Sequence, residues 1–424
     1  MTSRIQENAT SGVTLAAAVA RDAADPLAPF RERFDIPAEV IYLDGNSLGV
    51  LPKGVAERVA KSVASEWGTG LIRSWNAAGW IDLPRHVGAR IAPLVGAEPD
   101  CVVAADSTTV NLFKVVSAAV SLRPERTKIV TETRNFPTDN YIAEGVIRQC
   151  GDRHRLVHVD QPQDIAAALD DDTAVLMLTH VNYRDGSLHD MATLTRAAHD
   201  AGAVVVLSLI HISEPTRQFV AGCHADFAVG CGYKYLTGGP GAPAFLYVAP
   251  RHHGGFRQPL SGWFGHRDPF EFTPQYDAAG DIGQYLCGTP PVLSMVALDA
   301  ALDVWDGVNM TALRAKSQAL TDYFIELVET RCAGHGLTLI SPRDPDARGS
   351  QVSFTHAQGG YAIISALIAD GVIGDFRAPD VLRFGFTPLY TSFADVWHAV
   401  DRMAAILDEH RWDKPEFHAR KAVT

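Results

Sequence analysis

From about residue 100 the sequence alternates short apolar, β-branched runs with helical stretches, and this rhythm constrains the fold more than any other feature. The runs lie at 101–104, 128–131, 156–159, 174–178, 203–207, 226–230 and 244–248. Parallel strands need a crossover connection, so strands spaced by helices imply an α/β fold around a mostly parallel, seven-stranded sheet covered on both faces. After Leu293 the pattern changes to long helical stretches at 295–305 and 313–331, then to mixed segments at 337–340, 351–355 and 381–385. A chain of 424 residues suits two lobes. The expected division is a large domain over 60–300 and a small α+β domain over 301–424. Residues 1–59 form an N-terminal segment contributing to the small domain and the active site.

The bulk chemistry excludes several classes. A net charge of −12 disfavours nucleic acid and anionic membrane surfaces as main partners. The six cysteines are scattered without a CxxC pair, and no histidines cluster at metal-ligand spacing, so reduced thiols, a cytoplasmic location and no metal are expected. The N-terminus lacks the basic start and apolar core of a secretory signal, and no apolar run approaches the roughly 20 residues of a membrane span.

In sheets of this kind ligands bind beyond the carboxyl ends of the strands. Lys234 follows the sixth run, in Gly-Tyr-Lys-Tyr-Leu-Thr-Gly-Gly-Pro-Gly. A lysine is a poor nucleophile until burial and neighbours lower its pKa, and glycines let the backbone approach a bulky phosphorylated ligand, so Lys234 suits a carbonyl-binding role. Asp106-Ser-Thr-Thr-Val-Asn-Leu-Phe-Lys follows the first run and opens a helix. Thr108 and Thr109 there suit an anion site, and plain N-capping by Asp106 or Ser107 is the competing reading. Asn135-Phe-Pro-Thr-Asp-Asn offers an aromatic face in Phe136 and a carboxylate in Asp139, or else a capped helix start with a core phenylalanine. Thr179 opens a polar turn after the fourth run. Trp263 and Thr289 lie in loops, and Arg383 sits in an apolar strand-like run where its guanidinium needs an anionic partner, which a substrate carboxylate could supply.

Taken in this order, Tyr42-Leu-Asp-Gly-Asn-Ser-Leu-Gly, Asn-Phe-Pro-Thr-Asp, the lysine loop and Arg-Phe-Gly-Phe-Thr-Pro-Leu-Tyr resemble kynureninase, along nearly the whole chain. The resemblance implies a fold type I pyridoxal 5′-phosphate (PLP) enzyme of the aspartate-aminotransferase superfamily. Its reaction is hydrolysis of L-kynurenine, or its 3-hydroxy form, to anthranilate or 3-hydroxyanthranilate and L-alanine in tryptophan catabolism. It further implies that Lys234 carries the cofactor, that Thr108, Thr109 and Tyr233 hold its phosphate, and that Trp263 and Thr289 complete that site across a homodimer interface. Phe136 would stack on the ring, Asp139 and Thr179 would line it, and His211 occupies the place of a family histidine near the cofactor. Arg383 would bind the substrate α-carboxylate with Asn46 and Ser47 nearby, and Tyr233 would carry a proton.

One segment departs from the pattern. The family has an aspartate at the end of the fifth strand, pairing with the pyridine nitrogen, and here Ser208 stands in its place. Leu207-Ser-Leu-Ile-His-Ile-Ser-Glu-Pro-Thr-Arg reads as the in-frame translation of a transposase adapter used in short-read sequencing, as if adapter had overwritten native sequence. The match of His211 would then be coincidental. The alternatives are an impaired or non-catalytic PLP-binding homologue, or another fold type I enzyme such as a cysteine desulfurase or an aminotransferase.

Overall fold

The structure is a computed structural model that describes residues 13–210, 219–256 and 258–420. All seven apolar runs are strands of one sheet: β1 (Val102–Ala105), β2 (Lys128–Glu132), β3 (Arg155–Val159), β4 (Thr173–Thr179), β5 (Val204–Ser208), β6 (Phe227–Gly230) and β7 (Ala244–Val248). Their order is β1-β7-β6-β5-β4-β2-β3. Only β7 runs against its neighbours β1 and β6; the other pairings are parallel. The inner strand β4 is buried at every position, as a strand covered on both faces must be, whereas β3 at the edge is exposed or half-buried at all but its last residue.

Helix α1 (Thr108–Ser121) starts after β1 because the Ser107 hydroxyl caps the Val110 amide at 3.3 Å. Its Leu112, Val115 and Val116 join Val103, Val175, Val206 and Phe227 in one core, and each such side chain stabilises the fold by roughly 1.5–3 kcal/mol when fully buried. Helix α2 (Pro137–Gln149) starts after β2, with proline at its first position.

The chain divides into two compact units. One holds the sheet and spans Gly54–Tyr183 and His189–Asp303; the other holds the described chain up to Lys53, Arg184–Leu188 and the described chain from Val304. The expected boundaries are not followed throughout: 54–59 and 301–303 lie in the unit that holds the sheet, and 184–188, within the expected large domain, belongs with the other unit, where Gly349 N bonds Gly186 O at 2.9 Å and Ser341 Oγ bonds Asp185 O at 2.6 Å. That unit contains a four-stranded antiparallel sheet of Thr338–Leu339, Gln351–Thr355, Asp375–Arg377 and Val381–Gly385. Leu320, Phe324 and Leu327 of the helix Met310–Arg331 and Val396, Val400 and Met403 of Phe393–Asp408 share its core. Among the described residues no helix is long and apolar enough to cross a membrane, and no three His, Cys, Asp or Glu side chains gather as metal ligands.

Candidate functional site

Four polar segments gather at the carboxyl edge of the large sheet, after β1, β2, β4 and β6, because β1 and β6 both run against β7 and so point the same way as the rest. Lys234 is buried in the turn after β6, which is closed by Thr237 N to Lys234 O at 2.9 Å and Gly238 N to Gly232 O at 2.8 Å. Gly232 is required there, since a Cβ would lie 2.3 Å from the Pro243 carbonyl oxygen. The Lys234 ammonium lies 5.8 Å from the centre of the Tyr233 ring. Burial pushes the Tyr233 hydroxyl up to about 12, so it is a proton donor rather than a phenolate at neutral pH.

Asp139 lies in the first turn of α2 and is buried. Its Oδ2 accepts from Thr179 Oγ1 at 3.0 Å at the end of β4, while Oδ1 has no partner among the described residues. Thr179 also bonds Asn135 Oδ1, which accepts from the Phe136 amide at 2.8 Å, so one hydroxyl joins the strand end to the helix start. Burial pushes the Asp139 carboxyl up to about 6. The neighbouring Ser208 and Thr179 hydroxyls and the Lys234 ammonium pull in the opposite direction, though Ser208 Oγ makes no hydrogen bond of ordinary geometry. Phe136 stands edge-on to Tyr183 at 5.3 Å.

A cavity of about 370 Å³ beside this cluster is lined by Asp106, Ser107, Thr108 and Tyr233, with 241–244 and Pro291. Thr108 and Tyr233, both expected to hold a phosphate, therefore share one wall. Thr109 is exposed at the next helical position and is not part of that lining. The competing reading of this turn as a cap also holds, since Ser107 caps α1. Trp263 lines a different cavity of about 360 Å³ and packs edge-on against Trp75 at 6.1 Å, and Thr289 is exposed. His211 lies outside the described residues.

The other unit has its own polar cluster. Asp44 bridges to Gly385, and Gly385 N donates to Leu43 O at 2.7 Å, setting Leu43 and Asp44 beside the end of the strand that carries Arg383. Arg383 is buried and ion-paired with Asp375, and it donates to Ser47 Oγ at 3.0 Å. The anionic partner expected for Arg383 is present within the chain: β-sheet pairing sets Asp375 opposite Arg383. Asn46 Nδ2 donates to Gln351 Oε1 at 2.8 Å, and its Oδ1 has no partner among the described residues. Burial, reinforced by the Asp375 charge, pushes Asp44 up to about 7.

Asn135, Asp375 and Asp44 escaped the sequence reading. Asp44 and Asn135 lie inside quoted motifs, and their polarity beside buried strands was the available signal. Asp375, eight residues before Arg383 across a tight hairpin, was detectable only as a charge in an apolar stretch.

The Kynureninase C-terminal domain family model matches residues 313–403. A kynureninase from Burkholderia mallei (strain ATCC 23344) is 52% identical over 411 residues, covering 96% of this chain and 99% of that one. The chain belongs to the kynureninase family. A kynureninase from Pseudomonas fluorescens is 51% identical over 410 residues, covering 96% of this chain and 98% of its own length. Among solved structures, a cysteine desulfurase from Thermococcus onnurineus NA1 in its apo form aligns with a TM-score of 0.76 at 19% identity, covering 90% of this chain and 98% of that one. A C-DES variant with glycine covalently linked to its PLP cofactor aligns with a TM-score of 0.74 at 16% identity, over 88% of this chain and 98% of that one. The desulfurase likeness is one of fold: fold type I architecture is common to both, while full-length identity is with the kynureninases.

Proposed function

We propose that this chain hydrolyses L-kynurenine to anthranilate and L-alanine with pyridoxal 5′-phosphate as cofactor, in tryptophan catabolism. The observation that carries the reading is the 52% identity to kynureninases over nearly the whole chain, with a buried lysine at the carboxyl edge of the sheet. The donor set suits the cofactor. A cavity lined by a helix start, the Thr108 hydroxyl and the Tyr233 hydroxyl suits a phosphate. The buried, unpartnered Asp139 Oδ1 lacks a donor of the kind a protonated ring nitrogen provides.

When bound, PLP supplies an electron sink for the substrate's α-carbon. Lys234 Nζ would hold the cofactor and, once the substrate amine has taken its place, would serve as the base for the α-proton. Water would add to the substrate's γ-carbonyl; as that hydrate collapses to the carboxyl group of anthranilate and the Cβ–Cγ bond breaks, Tyr233 Oη, kept protonated by burial, would deliver the proton that Cβ needs to become the methyl group of alanine. Phe136 would pack against the cofactor ring, and Thr179 orients Asp139. Arg383, held by Asp375 and Ser47, takes the substrate carboxylate, and Asn46 Oδ1 accepts from the substrate. Ser208 cannot hold a pyridinium charge, so Asp139 is the carboxylate left for that task and turnover is lower than with an aspartate at 208. We also infer a cytoplasmic homodimer, in which Trp263 and Thr289 complete the phosphate site of the other copy; the exposed Phe270 and Phe272 beside Trp263 support such a covered face.

Anthranilate fluorescence measured against keto-acid formation tests the reaction, and anthranilate is the expected product. Borohydride reduction followed by peptide mapping tests the attachment, with the pyridoxyl label expected on Lys234; a label elsewhere would overturn the assignment. Light scattering tests the dimer. Resequencing the source DNA across codons 203–220 tests the adapter reading, with an aspartate codon at 208 as the expected result.

A further inference from the structure

Lys114 is a lysine with no exposed surface, set in the apolar stretch of α1. Long helical side chains lean toward the helix N-terminus, so an ammonium rooted at 114 arrives beneath the first turn, on the face shared with Asn111 and Ser107. Its Nζ donates to Asp106 Oδ2 at 2.5 Å and Tyr285 O at 2.6 Å, with Asn111 Oδ1 at 3.5 Å. Asn111 in turn donates to Ala105 O at 2.7 Å. The three protons of the ammonium thus face three acceptors from three parts of the chain.

Two of those parts reach the cavity assigned to the phosphate. Asp106 lines it and adopts a left-handed backbone conformation, φ 44°, uncommon for a residue with a side chain though aspartate enters it more readily than most. Tyr285 begins the segment that ends at Pro291, another lining residue. Asp106 also brings a carboxylate to the edge of a space meant for an anion, where an unneutralised charge would repel it. Beneath it, the only ammonium within reach among the described residues' hydrogen bonds to Asp106 is Lys114.

We propose that Lys114 is a positioning residue for the phosphate end of the site. It fixes the left-handed Asp106 turn and cancels the carboxylate that faces the phosphate, without touching the ligand itself. The inference rests on the reading of this cavity as a phosphate site. A lysine that serves only the core would affect every ligand and the fold alike, whereas a lysine that tunes the phosphate site discriminates between PLP and pyridoxal, which lacks the phosphate.

The test is a set of dissociation constants for PLP and for pyridoxal, measured by absorbance on the full-length apoprotein, with the stabilisation of apoprotein by inorganic phosphate as a second readout. Lys114→Met is expected to weaken PLP by about tenfold or more while leaving pyridoxal within about twofold, the scale of losing a hydrogen bond to a charged group. Adding Asp106→Asn to Lys114→Met is expected to recover most of the loss, because the stranded carboxylate is then gone. Equal losses for both ligands, or no recovery in the double variant, would overturn the proposal. Should Lys114→Met fail to fold, Asp106→Asn alone decides: it is expected to fold and to hold PLP at least as tightly as the parent, and weaker binding overturns the proposal. If the parent protein itself binds PLP and pyridoxal equally, the phosphate-site reading fails, and that result is distinct from the others.

Discussion

The two edges of the large sheet each bury a carboxylate, and the protein treats the two in opposite ways. At the amino edge, Asp226 precedes β6 and accepts from Val205 N at 2.8 Å, His199 Nε2 at 2.8 Å, His252 Nε2 at 2.6 Å and Arg251 Nη2 at 2.7 Å. These donors overcome its burial and hold its carboxyl far below the usual range. At the carboxyl edge, Asp139 has one hydroxyl donor and an empty oxygen, and burial wins. Donor number, rather than depth, separates a carboxylate that ties strands together from one kept ready for a ligand. On the proposed function, the same fold places a saturated carboxylate at one edge and the cofactor's residues at the other.

The sharpest way to break this contrast is Lys234→Ala at the chemical edge. Turnover is expected to fall by roughly 10⁴-fold or more, while the urea midpoint of the apoprotein barely moves. A large loss of stability there would erase the division between edges. Next in size is Asp226→Ala, which strands the two histidines and Arg251; about 3 kcal/mol of stability should be lost in urea titration, with PLP affinity unchanged. A loss below about 1 kcal/mol would show that the donor count around Asp226 means little.

Asp139→Asn should behave in reverse. In the apoprotein at pH 8 it is expected to be neutral or stabilising, by up to about 3 kcal/mol, because it removes a buried charge, yet it should weaken PLP and shift the absorbance of the bound cofactor. The finest test is the pH dependence. The Asp139 carboxyl is raised from 3.8 to about 6, so the native state holds its proton more tightly; that stability is complete below 3.8 and lost as pH rises through about 6. Asp226 is lowered, so its stability is complete above 3.8 and lost as pH falls through its lower folded value. Subtracting Asp139→Asn from the parent should remove a slope between pH 3.8 and about 6, and urea titrations across that window that stay parallel would contradict it.

Much of this was legible beforehand. Each apolar run became a strand because the runs are short, β-branched and set between helices, and the lysine after β6 fell at the edge that topology reserves for ligands. Thr108, Asp139, Thr179 and Lys234 stood at strand ends in the sequence and lie at the carboxyl edge in the fold. What escaped were long-range pairs. The sequence shows that the Arg383 guanidinium needs an anion but not that Asp375 on a neighbouring strand is one, and Lys114 carries no local signal beyond polarity in an apolar helix. The segment 184–188 sits among large-unit residues in sequence and joins the other unit through hydrogen bonds to residues more than a hundred positions away.

Periodicity and strand-end chemistry are local properties, so the sequence by itself determined the α/β class, the seven strands, the family and the place of Lys234 after a strand. Whether a buried charge is satisfied depends on which distant groups the fold brings within about 3 Å. Only the tertiary structure could decide that Asp226 is saturated, that Asp139 is left with an open oxygen beside Ser208, and that Arg383 already has its anion.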